Sequence, residues 1–191
     1  MATLQRIMPC LWFEAEAEPA ANFYISVFPN SRIKTVSHYG EAGFEHHRRP
    51  AGSVMVVIFE LDGQEFMGLN GGPVFKFTEA ISLVVHCDTQ DEIDHYWNTL
   101  GAGGDPRAQQ CGWLKDRYGL SWQIVPSIVG QLMTGPNSDR VMAAVMQMKK
   151  LDLAAMQAAA FSSGTLASIP PAVCGSPSRG KFGCHDASRG A

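Results

Sequence analysis

Few side chains in this sequence have the type and setting to do chemistry. His86 sits in the run AISLVVHC (residues 80–87) and is a candidate general acid or base, because imidazole titrates near neutral pH. The plainer reading is a strand histidine satisfied by its neighbours. Gln123, in LKDRYGLSWQIV (residues 114–125), carries a neutral amide that can orient a ligand carbonyl or hydroxyl, or only bond a neighbouring strand side chain. Cys10 and Cys111 are nucleophiles by type. Neither has a base visible near it, so a small buried hydrophobe is the favoured reading of both. Cys174, Cys184 and His185 suggest a metal only as an incidental cluster, since no CxxC or HExxH spacing supports one. The basic HHRRP cluster at 46–50 reads as a solvated loop, not a phosphate site.

The elements that hold these residues must fit in 191 residues, enough for one domain or two short modules sharing a core. With 46% hydrophobic and 17% charged residues the composition is that of a soluble globular protein rather than a disordered one. A net charge of -3 and a pI near 6.0 argue against nucleic acid or anionic lipid as partner. No stretch of about 18 apolar residues suggests a membrane span, and no signal peptide is read at the N-terminus. Five cysteines without paired spacing fit free thiols, so a cytoplasmic location is expected.

Self-comparison is the most informative operation. CLWFEAEAEPAANFYISVF from Cys10 aligns with LVVHCDTQDEIDHYWNTLG from Leu83, an offset of 83 minus 10, or 73. FELDGQEFMGLN aligns with KDRYGLSWQIVP at an offset of 56, Gly119 minus Gly63. Each half therefore reads as strand, helix, then strands, a repeated βαβββ plan. The first half carries about 17 more residues, 73 minus 56, before its last strand.

Local signals agree. Pro19 suits the start of the first helix. Thr89 and Glu92 form a capping box for the second, and Gly101 stops it. Asp62-Gly63 predicts a two-residue hairpin. Beyond Val125 a helical stretch puts Val141, Val145, Met148 and Leu151 on one face, with Ser138 and Asp152 as caps. The methionines there read as core or dimer contact, and from Phe161 a disordered tail is expected.

Taken together, EPAANFYISVFPNSRI, NGGPVFKFTEAISLVVHCDTQDEIDHYWNTL and GWLKDRYGLSWQIVP resemble the vicinal oxygen chelate superfamily, the glyoxalase, bleomycin-resistance and extradiol dioxygenase fold. Within it they resemble the 3-demethylubiquinone-9 3-methyltransferase-like branch. The resemblance spans residues from about 4 to about 160. It implies an α+β fold in which two βαβββ modules, 1–78 and 79–130, form curved mixed sheets around a concave pocket. A helical segment at 131–160 and the tail at 161–191 follow. A homodimer is expected, since members often dimerise or exchange modules.

The same resemblance places metal ligands at four positions, here Pro9, Met67, Ser82 and Gln123. Only Gln123 is a plausible oxygen ligand, and one neutral oxygen cannot hold a divalent ion against water. No metal and no other cofactor is expected. If Ser82 faces the concavity, strand parity adds Val84, His86, Ser121 and Gln123, and Leu11, Phe13, Met67 and Leu69 from the first module. Trp113 is either packing or the cavity edge.

The chain therefore reads as a binder of a small organic molecule. It is either a metal-independent enzyme with His86 as catalytic base or a sequestration module of the bleomycin-resistance type. Methyl transfer finds no support, because no glycine-rich loop joins a strand to a helix.

Overall fold

In a computed structural model, which describes residues 5–161, the first module runs β1 (Cys10–Phe13), α1 (Ala17–Val27), β2 (Arg32–His38), α2 (Phe44–His47), β3 (Val54–Leu61) and β4 (Gln64–Asn70). Its strands order as β1-β4-β3-β2, with β1 parallel to β4 and the other pairs antiparallel. The expected hairpin forms: Leu61 pairs with Gln64 across Asp62 and Gly63, whose positive φ values of 44° and 84° match a type I′ turn. The surplus of the first half contains the β2–β3 connection, where α2 lies.

α1 begins at Ala17 rather than Pro19. Its first amide is satisfied from β4, by Asn70 Oδ1 at 2.8 Å, so the start is set by a tertiary contact instead of a local cap. Gly68 lets α1 close on the sheet, since a Cβ there would lie 3.2 Å from the Ala17 Cβ.

The second module comprises β5 (Ser82–Cys87), α3 (Gln90–Gly101), β6 (Trp113–Lys115) and β7 (Ser121–Pro126), in the order β5-β7-β6. The Thr89–Glu92 capping box is present and α3 ends at Gly101. This sheet has three strands against four in the first, one fewer than the repeat plan expects. The reason lies in the glycines and proline of 101–112. Gly104 passes so close to β6 that a Cβ would sit 1.9 Å from the Lys115 carbonyl oxygen. Asp105 then caps a 3-10 turn at Pro106–Ala108, leaving a single bridge from Gln110 to Trp113.

The two modules share one core. Tyr24 lies 6.2 Å from Phe59 of sheet one and 5.5 Å from Trp122 of sheet two, ring centre to ring centre. Phe28 stacks on both Trp122 and Tyr96. Tyr24, Phe59 and Trp122 are fully buried, and a ring of this size then stabilises by about 2–3 kcal/mol. A second cluster forms where three helices, α4 (Val129–Thr134), α5 (Ser138–Val145) and α6 (Leu153–Phe161), cover Val125. The expected face of Val141, Val145, Met148 and Leu151 contributes to it, although α5 ends at Val145. Asp152 Oδ1 accepts from Ala155 N at 2.8 Å, as a cap should. The tail expected from residue 161 lies outside the described residues, except for Phe161, which ends α6. Among the described residues no helix is long and apolar enough to cross a membrane.

Candidate functional site

Each sheet has one side in the shared core and one side open, and register decides which residues stand on which. In sheet two, Ser82 pairs with Ser121, Val84 with Gln123, and Trp113 with Gln123. Ser82, Val84, His86, Trp113, Ser121 and Gln123 therefore share the open face, as parity predicts, and Lys115 joins them opposite Ser121. Leu114, Trp122 and Ile124 turn into the core.

In sheet one Met67 and Leu69 also stand on the open face, beside Ile58 and Val56. Leu11 and Phe13 do not. They are 5% and 4% exposed and belong to the core, while Cys10 and Trp12 pair with Met67 and Leu69 on the open side. The cause is a slip of one residue in matching the halves. Cys10 pairs with Met67 and Val84 with Gln123, so the first strands correspond at 84 minus 10, or 74, not 73. A slip of one reverses every side chain along a strand.

The polar centre of the open face is small. Gln123 Nε2 donates to Ser82 Oγ at 2.8 Å, leaving the amide oxygen and the Ser82 hydroxyl proton for another partner. Ser121 is 1% exposed and its Oγ has no hydrogen-bond partner among the described residues. Lys115 Nζ pairs with Glu79 at 2.6 Å. His86 is exposed and has no orienting partner among the described residues.

This donor set does not fit a divalent ion. Sheet one offers the Met67 thioether and, at the place of Ser82 in the true register (82 minus 74), the Met8 thioether, with the Cys10 thiol beside Met67. Sheet two offers only neutral oxygens, the Ser82 hydroxyl and the Gln123 amide oxygen. Soft sulfur on one wall and neutral oxygen on the other suit no hard divalent ion.

Cavities border the open faces and the seam between modules. One of about 410 Å³ is lined by Ala108, Cys111, Trp113, Lys115 and Ser121 among others, which puts Trp113 at a cavity edge. A second, about 330 Å³, is lined by Trp12, Phe75, Lys76, Arg117 and Tyr118. There Trp12 donates to the Gly72 carbonyl at 2.8 Å and meets Phe75 edge-on. Neither nucleophile candidate is a buried hydrophobe: Cys10 is exposed, and Cys111 is half-exposed at a φ of 53°. The buried thiol is Cys87, pushed up to about 12 by burial first and then by Glu92 and Asp88.

One buried residue escaped the sequence reading. Asp116 is 2% exposed and accepts four bonds: from Tyr24 Oη and Trp122 Nε1 on one oxygen, and from the Tyr118 and Leu120 amides on the other. Its carboxyl is raised from the ordinary value by burial, against the pull of those donors. The available signal was the polar tips of Tyr24 and Trp122, which need partners once buried.

One family model and several solved structures resemble this chain. A family model described as 3-demethylubiquinone-9 3-methyltransferase matches residues 5–125. A PhnB protein of Bacillus cereus carrying the same methyltransferase label is 39% identical, with a TM-score of 0.54, over 64% of this chain and 99% of its own. A fosfomycin resistance protein, FosX, of Listeria monocytogenes is 14% identical with a TM-score of 0.41, over 66% of this chain and 93% of its own. No curated protein matches.

Proposed function

Because the chain belongs to the family described as 3-demethylubiquinone-9 3-methyltransferase, within the vicinal oxygen chelate superfamily, we propose that it binds a small organic molecule on its open sheet faces without a resident metal ion. The observation that carries this reading is the 2.8 Å bond from Gln123 to Ser82. The two groups of sheet two that would face an ion are turned on each other, and together they still offer one donor and one acceptor to a ligand. Apolar side chains such as Met67, Leu69 and Val84 surround few polar groups, the composition of a small-molecule site.

The pocket is completed by a second copy. Sheet one presents an apolar face and sheet two a polar one, the latter covered by the C-terminal helices at Val125, while Val84 is 48% exposed in mid-strand. A homodimer that sets one face against the other encloses the ligand between them. Cys10, Cys87 and Cys111 are free thiols, which suits a reducing cytoplasm.

Holding rather than converting the ligand is the favoured mode. An acid–base histidine needs a group that fixes its tautomer and aim, and His86 has none among the described residues. Methyl transfer as in the family's description has little support here: Gly71 and Gly72 follow β4, but the next element is strand β5 rather than a helix. Native mass spectrometry of the purified protein, with metal analysis of the same sample, tests the proposal. The expected result is a dimer mass with a small organic adduct and metal far below one ion per chain. One tightly held divalent ion per chain would overturn it.

A further inference from the structure

We propose that the cavity beside β6 takes a neutral, planar molecule bearing one hydrogen-bonding oxygen, which Ser121 Oγ engages. The inference deepens the reading of sheet two's open face as a binding surface, and rests on it. Buried hydroxyls almost always find a partner, because an unmade bond forfeits the water it gave up. Ser121 breaks that rule at 1% exposure, and it does so on the wall of a cavity of about 410 Å³. That volume lies within the range of sites for small organic ligands.

The rest of the lining narrows the class. Lys115 and Glu79, the charged residues of the wall, are joined at 2.6 Å, so a ligand charge would find no free counter-charge without breaking that pair. Trp113 offers a flat apolar surface, and Ala108 adds apolar contact. Cys111 also borders the cavity, its Sγ 3.8 Å from Met146 Sδ, and its backbone is tied to the C-terminal segment by bonds from Cys111 N to Met148 O and from Gly112 N to Lys149 O. It supplies a chemical reporter on the cavity wall.

The test is the rate at which iodoacetamide alkylates Cys111 in the full chain, followed by peptide mass mapping, with N-acetylcysteine added to the same reaction as control. Two probes of matched shape are compared: 2-naphthol, and 2-methylnaphthalene, in which a methyl replaces the hydroxyl. The expected result is that 2-naphthol slows Cys111 but not N-acetylcysteine, with an apparent affinity about fivefold to tenfold better than 2-methylnaphthalene. Ser121→Ala removes that difference and leaves the unliganded protein at least as stable in urea. Equal protection by the two probes, no protection by either, or a preference that survives Ser121→Ala overturns the assignment. An organic adduct still seen by native mass spectrometry, and lost in Gln123→Leu, would then leave the binding face standing without this cavity.

Discussion

The Tyr24 phenol donates to Asp116 Oδ2 over 2.8 Å, joining residues 92 positions apart. Trp122 Nε1 reaches the same oxygen at 2.8 Å, so a helix of module one and a strand of module two close on a single carboxylate. The other oxygen takes the Tyr118 and Leu120 amides and shapes the turn between β6 and β7. Asp116 thus fixes the hairpin whose outer face carries Ser121 and Gln123.

Tyr24→Phe removes one of the four donors and is expected to cost about 1.5 kcal/mol in urea unfolding. Asp116→Ala strands all four and should cost more than about 3 kcal/mol. If the two variants lose equal stability, the carboxylate is not the shared anchor.

The raised carboxyl of Asp116 has a sign in pH. Its folded-state value lies above the ordinary 3.8, so this group's stabilisation is complete at low pH and is lost as pH rises from 3.8 through the folded value. The advantage of the wild type over Asp116→Asn should therefore shrink as pH rises across that window. Thermal melts of both proteins from pH 3 upward measure it, and an advantage that grows instead contradicts the assignment.

Cys87 gives a second window. Between the ordinary 9.0 and about 12, the unfolded thiol ionises while the folded one stays protonated, so its stabilisation is lost as pH rises. Iodoacetamide at pH 9 should leave Cys87 unlabelled in the native protein over the time that consumes Cys111. Early modification of Cys87 would mean that the β5 side of the core opens readily.

The corrected register of β1 predicts opposite costs for neighbours. Leu11→Ala opens the core and should cost about 2–5 kcal/mol, whereas Met67→Ala, on the open face, should cost about 1 kcal/mol or less. Urea midpoints of the two variants decide it, and a reversed order would restore the original parity.

Gln123→Glu restores a common metal-ligand type at one position only. Calorimetric titration with Mn²⁺ should find no tight site in this variant, because Met8, Cys10, Met67 and Ser82 are unchanged and donate poorly to a hard ion. Tight binding by that single change would show that the site was one carboxylate away from holding an ion.

What could be read in the sequence follows from where alternation was visible. The Thr89–Glu92 cap, the Asp62-Gly63 hairpin and the open face of sheet two all rest on patterns within a few residues, and all are present. β1 defeated the same method because CLWF is apolar at every position and carries no alternation to fix its phase. Only pairing with β4, more than fifty residues away, fixes it. Lys115 was hidden likewise, since a three-residue strand is too short for period-two reading. The Asp116 hub was visible only as a turn aspartate, because its partners converge from Tyr24 and Trp122 in three dimensions.

In the homodimer proposed above, each chain would bring two unlike half-sites, one on each sheet. A two-fold axis that seats the first half-site of each copy on the second half-site of the other makes two identical clefts and leaves nothing unsatisfied. The same complementarity without the axis would propagate into a filament. In such a pair cleft number follows assembly: a closed couple should offer two identical clefts between its sheets, besides the β6 cavity that each chain holds by itself.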